Sequence, residues 1–112
     1  MKKIVATSLL LLASNSVLAA FNGSQIQPII NTISEIKNAP DDTHVVLTGH
    51  IVQSLGNEIY LFKDNTGEIK VDIDFEDWMG QDVTPKDKVT IRGEIDSEWS
   101  SSKIEVDSVQ KV

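Results

Sequence analysis

The chain has 112 residues, with seventeen Asp and Glu against ten Lys and Arg, a formal net charge of −7 and no cysteine. This length suits one domain, and the missing cysteines exclude a disulfide-stapled scaffold. The negative charge disfavours DNA and RNA as ligands, because nucleic-acid affinity rests largely on basic residues that displace counterions. Cationic ligands and basic partners are favoured instead, although solubility alone would also explain such a charge.

Residues 1–19 have the pattern of an export signal. Lys2 and Lys3 precede an uncharged apolar run at residues 4–12, and residues 17–19 (VLA) place small side chains before a cleavage site at Ala20. A retained membrane anchor is the alternative, but Asn15 and Ser16 interrupt the run well short of the ~20 apolar residues of a spanning helix. We therefore expect an exported protein that is not an integral membrane protein.

Removal of residues 1–19 leaves a 93-residue domain, residues 20–112, in which eight basic residues oppose seventeen acidic ones, a formal net charge of −9. Isoleucines at helical spacing, from Ile26 to Ile36, predict an amphipathic helix over residues 24–38. Ser24 is its expected N-cap, and the turn around Pro40 is its expected end. The apolar side of this helix needs a sheet or barrel to cover it.

From residue 44 onward, apolar and polar residues alternate with a period of two, which is typical of strands with one buried face. Five short strands are predicted, at residues 44–53, 58–63, 68–74, 88–96 and 103–109. Gly49 in the first strand indicates a bulge or a sharp bend. In the third strand, Ile69, Val71 and Ile73 are expected to face inward. Residues 75–81 lose the alternation and predict a helical turn in which Trp78 and Met79 plug the barrel.

One helix, five strands and a short helix between strands three and four predict an all-β fold, a five-stranded Greek-key OB-fold barrel. Closure into a barrel hides the strand edges that an open five-stranded sheet would expose. An SH3-like barrel has the same number of strands but lacks the helical insertion. The OB-fold is therefore the preferred interpretation.

Several segments resemble a known family. They are LTGHIV at 47–52, YLFKD at 60–64 with Thr66-Gly67, IKVDID at 69–74, Trp78 with Gly80, and GEID at 93–96 followed by IEV at 104–106. Together they resemble the bacterial OB-fold (BOF) family, the YgiW/YdeI-like small periplasmic stress proteins, over essentially the whole mature chain. The resemblance implies a periplasmic binding domain linked to envelope stress tolerance, with small or charged ligands rather than nucleic acid. It implies no catalytic residue.

The candidate site follows from the fold. OB domains usually bind ligands on the outer face of strands two and three, beside the loops that join strands one to two and four to five. There an aromatic ring and charged groups would hold a small cationic or glycan-like ligand. The alternative is a solvated face with ordinary cross-strand ion pairs. The candidate ligand-binding residues are Tyr60, Lys63, Lys70, Asp72, Asp74, Arg92, Glu94, Asp96 and Trp99.

No nucleophile elbow, phosphate-binding loop or HExxH motif occurs in the sequence, so we expect a protein that is not an enzyme and has no cofactor. The acidic residues Asp72, Asp74, Glu76 and Asp77 lack EF-hand spacing and predict weak cation attraction rather than a metal site. We expect a monomer that binds a small ligand. Two alternatives are an adaptor that binds an envelope protein and weak metal-cation binding.

Overall fold

The computed structural model describes residues 29–98 and 101–112, which form a closed five-stranded barrel. Around the barrel the strands follow the order β1-β2-β3-β5-β4, and β4 pairs with β1 to close it. Only β3 and β5 pair in parallel, and the other neighbours are antiparallel. This arrangement confirms the predicted OB-fold barrel. The strands are β1 (His44–Gly56), β2 (Ile59–Asp64), β3 (Gly67–Asp72), β4 (Val89–Glu98) and β5 (Ser101–Lys111).

The core is formed by alternate residues of all five strands. Among the described residues, every buried side chain of the core is apolar. In the third strand region, Val71 and Ile73 are fully buried and Ile69 is half-buried against the core, so the predicted inward set is confirmed. The fully buried side chains are Val45, Leu47, Phe62, Val71, Ile73, Val89, Ile91, Ile95 and Ile104.

Gly49 marks the point where β1 changes partners. Residues up to Gly49 pair with β4, whereas residues from His50 onward pair with β2. A Cβ atom at Gly49 would collide with the backbone carbonyl of Lys63, so only glycine allows the two strands to approach this closely. The change of partners and the close approach thus fall at Gly49, but the predicted bulge does not, because the register shifts of β1 lie further along, at Val52 and Leu55.

One end of the barrel, at the turn between β2 and β3, is closed by a 3₁₀ helix at Ile33–Asn38 that buries Ile33 and Ile36. We call it the hairpin end. The predicted α-helix over 24–38 is thus shorter and tighter, and residues 24–28 lie outside the described residues. Ile30 is extended, because its backbone forms a bridge with β1 whose Val46 N–H donates to Ile30 O at 2.9 Å.

The opposite end of the barrel is closed by a second 3₁₀ helix at Phe75–Trp78, and we call it the acidic end. Trp78 packs against the core and meets Tyr60 edge-on, with ring centroids 5.3 Å apart. The predicted plug is correct for Trp78 and wrong for Met79, whose side chain is 80% exposed. Met79 ends the helix in the left-handed region, at φ 53°, and there the chain turns away from the barrel. Within the residues described, no helix is long and apolar enough to span a bilayer.

Candidate functional site

A groove of about 560 Å³ runs along the outside of the barrel, between β2 and β3 on one side and the ends of β4 and β5 on the other. We call it the outer groove. Its floor contains Ile59 and Leu61, two half-buried apolar side chains of β2. The remaining lining residues are mostly charged or hydroxyl-bearing: Glu68, Ile69, Lys70, Asp96, Glu98, Ser101, Ser102 and Lys103.

Strand register explains why this floor is apolar. Phe62 is fully buried, so its neighbour Leu61 must face outward, and Leu61 pairs directly with Lys70 of β3. The parallel pairing of β3 with β5 then places Lys103 beside Lys70. The β2–β3 hairpin and the distant strand β5 thus form one surface, with aliphatic side chains at the centre and charges around them.

Lys103 lies among three carboxylates at the boundary of the groove. Its Nζ atom is 3.8 Å from Asp72 Oδ2, 3.9 Å from Asp96 Oδ2 and 3.9 Å from Glu105 Oε2. Burial and the charge of Asp72 raise the pKa of the Glu105 carboxyl, while Lys103 lowers it and Asp96 raises it further. One ammonium group cannot compensate three carboxylates, so this part of the surface attracts positive charge.

More carboxylates meet at the acidic end. One carboxylate oxygen from each of Glu58, Asp72 and Asp74 lies within 4.8 Å of the others. Glu58 belongs to the turn between β1 and β2, and its Oε2 accepts a hydrogen bond from the Phe75 N–H at 2.9 Å. These three residues could each offer an oxygen to a hard divalent cation. They are exposed or half-exposed, however, and such acidic groups are common on surfaces without a metal.

The structure corrects the predicted position of Tyr60. This residue pairs directly with the fully buried Val71, so both face inward, and the Tyr60 ring packs against the core and Trp78. The outer positions of β2 belong instead to Ile59, Leu61 and Lys63. Tyr60 is therefore unavailable as a stacking platform in the outer groove.

The other candidate residues fall into separate groups. Lys70 and Asp96 line the outer groove, and Asp72 lies beside it in the Lys103 cluster. Asp74 lies beyond the end of β3 in the carboxylate group of the acidic end. Glu94 faces His44 at 3.7 Å, away from the groove lining. Lys63 and Arg92 also lie outside the groove. Trp99 lies outside the described residues.

Two kinds of residue escaped the sequence reasoning. Ile59 and Leu61 were missed because residues 59–62 (IYLF) are all apolar, and the alternation of apolar and polar residues cannot assign such a run to the inner or the outer face. The unbroken apolar run is itself the signal that both faces of this strand are apolar. Glu58, Ser102 and Lys103 were missed because their place depends on strand pairing, for which this sequence offers no local signal.

Comparison with known proteins adds the family. The model of the bacterial OB fold (BOF) protein family matches residues 12–111. Protein YgiW of Escherichia coli (strain K12) is 46% identical over 83 residues, which cover 74% of this chain and 64% of YgiW. The chain thus spans somewhat less than two thirds of that relative. Calcium-regulated OB-fold protein CarO of Pseudomonas aeruginosa is 36% identical over 94 residues, covering 84% of this chain and 81% of CarO.

The fold comparison agrees with the sequence comparison. The solved structure of the hypothetical protein ygiW from E. coli matches with a TM-score of 0.72 at 46% identity, covering 74% of this chain and 89% of the other. The family match spans nearly the whole chain and coincides with the segments on which the resemblance was based. This protein belongs to the bacterial OB-fold (BOF) family.

Proposed function

We propose that this protein is exported to the periplasm, where it serves envelope stress tolerance by binding a small cationic or glycan-like ligand in the outer groove. The role is binding rather than catalysis. The observation that carries the proposal is the pair Ile59 and Leu61, which form an apolar floor within a groove whose walls are charged. Small-molecule sites typically combine a concave apolar surface with a few polar groups that orient the ligand.

The chemistry of the walls supports the ligand class. Glu68, Asp96 and Glu98 give the groove three carboxylates, whereas its lysines are Lys70 and Lys103. Lys103 is already compensated by neighbouring carboxylates, so the groove retains an excess of negative charge. Ammonium and sugar hydroxyl groups donate hydrogen bonds to carboxylates, and aliphatic side chains pack against the apolar face of a sugar ring or a lysine stem.

The binding experiment is an NMR titration of isotope-labelled residues 20–112. The probes are a glucosamine oligosaccharide, an oligolysine peptide and, as an uncharged control, a glucose oligomer. We expect saturable shifts at Leu61, Lys70 and Ser102. Leu61→Ser should weaken binding about tenfold, because it removes the apolar floor. Leu55→Ser is the matched control, since Leu55 is an exposed leucine outside the groove and its replacement should leave the affinity unchanged.

Calcium chloride is the control for general cation attraction. Under the proposal, calcium should shift residues near Glu58 and Asp74 while leaving the Leu61 resonance in place. Equal losses in the two leucine variants, or an absence of saturable shifts with every organic probe, would exclude the outer groove as a binding site. Calcium binding without binding of any organic probe would favour the cation-binding alternative.

Export requires its own experiment. N-terminal sequencing of the protein recovered from a periplasmic fraction should start at Ala20. Recovery of the intact chain in the membrane fraction would instead support a retained anchor.

Stress tolerance is tested with a deletion strain exposed to envelope-damaging agents. Resistance that is restored by the wild-type gene but not by the Leu61→Ser form would link the groove to stress tolerance.

A second candidate function is docking onto another envelope protein. Phe75 and Met79 favour it, because their side chains are 84% and 80% exposed at the acidic end. A photo-crosslinking residue at position 75 should then give one discrete adduct in cells, which the additional change Met79→Ser should diminish. The same crosslinker at Leu55 is the control, and adducts of equal yield at both positions would exclude specific docking.

A further inference from the structure

The protein has a basic face, although its overall charge is strongly negative. Lys63 of β2 pairs with His50 of β1, and Thr48 of β1 pairs with Thr90 of β4. Directly paired residues and alternate residues of a strand share a face, so Lys88 and Arg92, two positions before and after Thr90, lie on this outer side as well. The turn before β4 adds a further lysine. We define the basic face as Lys63, Lys86, Lys88 and Arg92, all of which are exposed.

These four side chains differ from the lysines elsewhere on the barrel. Lys103 lies within 4 Å of three carboxylates and Lys111 lies 3.7 Å from Asp87. Within the described part of the chain, no carboxylate lies within 4 Å of the four cations of the basic face. Positive charge is therefore concentrated on one side of the molecule without a close ion pair, although Glu68, which pairs with Lys63, and Glu94, two positions after Arg92, lie nearby.

The basic face contains a cavity of about 320 Å³, located where β1 passes from β4 to β2. Lys63 and Lys88 line it from two different strand regions, and the side chains of Thr48, His50 and Asn65 also border it. Ammonium, hydroxyl and amide groups are hydrogen-bond donors, and Lys is a common ligand of phosphate groups. The cavity thus combines two positive charges with neutral donors.

One carboxylate, that of Asp64, also borders the cavity, but both of its oxygens already accept hydrogen bonds. Oδ1 accepts hydrogen bonds from Thr66 N at 2.7 Å, Thr66 Oγ1 at 2.6 Å and Gly67 N at 3.1 Å, and Oδ2 accepts one from Ile33 N at 3.0 Å. Burial would raise the pKa of Asp64, yet these bonds hold it below its usual value. Its charge is thus stabilised by donors of the hairpin end and competes weakly for the two lysines.

Two further contacts fix the walls of the cavity. His50 Nδ1 is 3.1 Å from Pro85 O, and because a carbonyl only accepts, this nitrogen carries the proton and holds the ring against the turn before β4. The hydroxyl groups of Thr48 and Thr90 are 2.9 Å apart. When Thr90 donates this hydrogen bond, the hydroxyl hydrogen of Thr48, which lines the cavity, can donate to a bound oxygen.

We propose that this cavity binds a phosphate-class anion, either free phosphate or a phosphate monoester, with Lys63 and Lys88 as its ligands. Lys86 and Arg92 lie outside the cavity lining and add longer-range attraction. A compact anion fits the charge distribution better than a polyanion does, because a long nucleic acid would extend onto the acidic remainder of the surface. This site is separate from the outer groove, whose excess carboxylates repel phosphate, and it does not depend on the function proposed above.

The test is an NMR titration of residues 20–112 with inorganic phosphate at constant ionic strength, with sodium chloride as the reference. We expect saturable shifts at His50, Lys63, Asn65 and Lys88. The double variant Lys63→Gln/Lys88→Gln should weaken phosphate binding at least about tenfold, because each lysine supplies a charge-assisted hydrogen bond. Lys70→Gln is the matched control, since it removes a lysine of the outer groove and should leave phosphate affinity unchanged.

The source of the phosphate group is tested by vesicle sedimentation. Vesicles of phosphatidylcholine are compared with vesicles that also contain phosphatidic acid, a phosphate monoester. Retention on the second kind, lost in the double lysine variant, would assign the site to a lipid headgroup. Binding of inorganic phosphate without retention would assign it to a soluble anion. Equal weakening by Lys70→Gln, or an absence of saturable shifts at millimolar phosphate together with no vesicle retention, would overturn the proposal.

Binding in the outer groove and binding in the phosphate cavity can be tested independently. Leu61→Ser should leave phosphate binding intact, whereas the double lysine variant should leave binding of glucosamine oligosaccharide intact. Loss of both activities in either variant, with the fold preserved by its NMR spectrum, would show that the two surfaces are not separate sites.

Discussion

The two ends of the barrel are closed by the same device, a short 3₁₀ helix, yet only the helix at the hairpin end buries side chains fully. At the hairpin end, Ile33 and Ile36 enter the barrel, and the N–H groups of Ile33 and Ser34 are capped by Asp64 and Thr66 from the turn between β2 and β3. At the acidic end, Trp78 packs on Tyr60, while Phe75 and Met79 remain exposed.

The difference shows that contacts with the rest of the barrel, rather than intrinsic helix stability, hold these short helices in place. A turn of four to six residues is too short to be stable alone. The hairpin end gains its stability from a charge-assisted cap contributed by residues about thirty positions away. The acidic end has one comparable bond, from the Phe75 N–H to Glu58 Oε2, but it packs only Trp78 against the core and accumulates carboxylates that repel one another. The stability of the hairpin end should therefore depend on the ionised form of Asp64. At the acidic end, protonation of aspartates should instead relieve the repulsion between carboxylates.

The largest expected effect is at the acidic end. Trp78→Ala should lower the free energy of unfolding by about 3 kcal/mol, the lower part of the range for core aromatics, because this ring is half-buried. Urea denaturation measures the change. Met79→Ala in the same turn is the control and should change stability by less than about 0.5 kcal/mol, because Met79 is exposed. Similar losses in both variants would contradict the assignment of Trp78 as the plug.

The second effect is at the hairpin end. Asp64→Ala should cost about 2 kcal/mol, because it leaves the N–H groups of Ile33, Thr66 and Gly67 without their acceptor. Asp82→Ala, at an exposed aspartate, is the control for loss of one negative charge. Hydrogen exchange should also become faster at Ile33 and Ser34 in the Asp64 variant. Unchanged exchange at these two amides would show that the cap does not hold the helix.

The third prediction concerns pH. Burial opposes ionisation of Asp64, but the hydrogen bonds it accepts lower its pKa below the ordinary value of 3.8. A carboxyl whose pKa is depressed by folding stabilises the fold above the unfolded pKa, and this contribution is lost as the pH falls through the folded pKa. Stability should therefore decline below about pH 4, and Asp64→Asn should flatten that decline. A parallel decline in the variant would assign the acid sensitivity to other groups.

The smallest effect has the opposite sign. Burial, followed by the charges of Asp74, Glu76, Asp107 and Glu58, raises the pKa of Asp77. The folded state therefore holds this proton more readily than the unfolded chain, and the repulsion is relieved as the pH falls through the raised pKa. Asp77→Asn should slightly increase stability at neutral pH, by less than about 0.5 kcal/mol. A loss of stability in denaturation at pH 7 would contradict mutual repulsion at the acidic end.

The amino-acid pattern alone determined the fold class. A strand with one buried face must alternate, and this periodicity located all five strands and predicted the inward positions of Ile69, Val71 and Ile73, which the structure confirms. Gly49 marked the place where β1 changes partners, and the structure shows that only glycine permits such a close backbone approach there. The family segments likewise predicted membership that the comparisons confirm.

Only the tertiary structure decided which residues share a surface. Tyr60 lies inward and Leu61 outward because β2 pairs with β3 in one register, and a run that is apolar on both faces does not specify that register. The outer groove and the basic face each join residues from strands that are far apart in sequence. Their composition depends on the closing pairs of the barrel, β3 with β5 and β1 with β4, which are non-local contacts that no local pattern encodes.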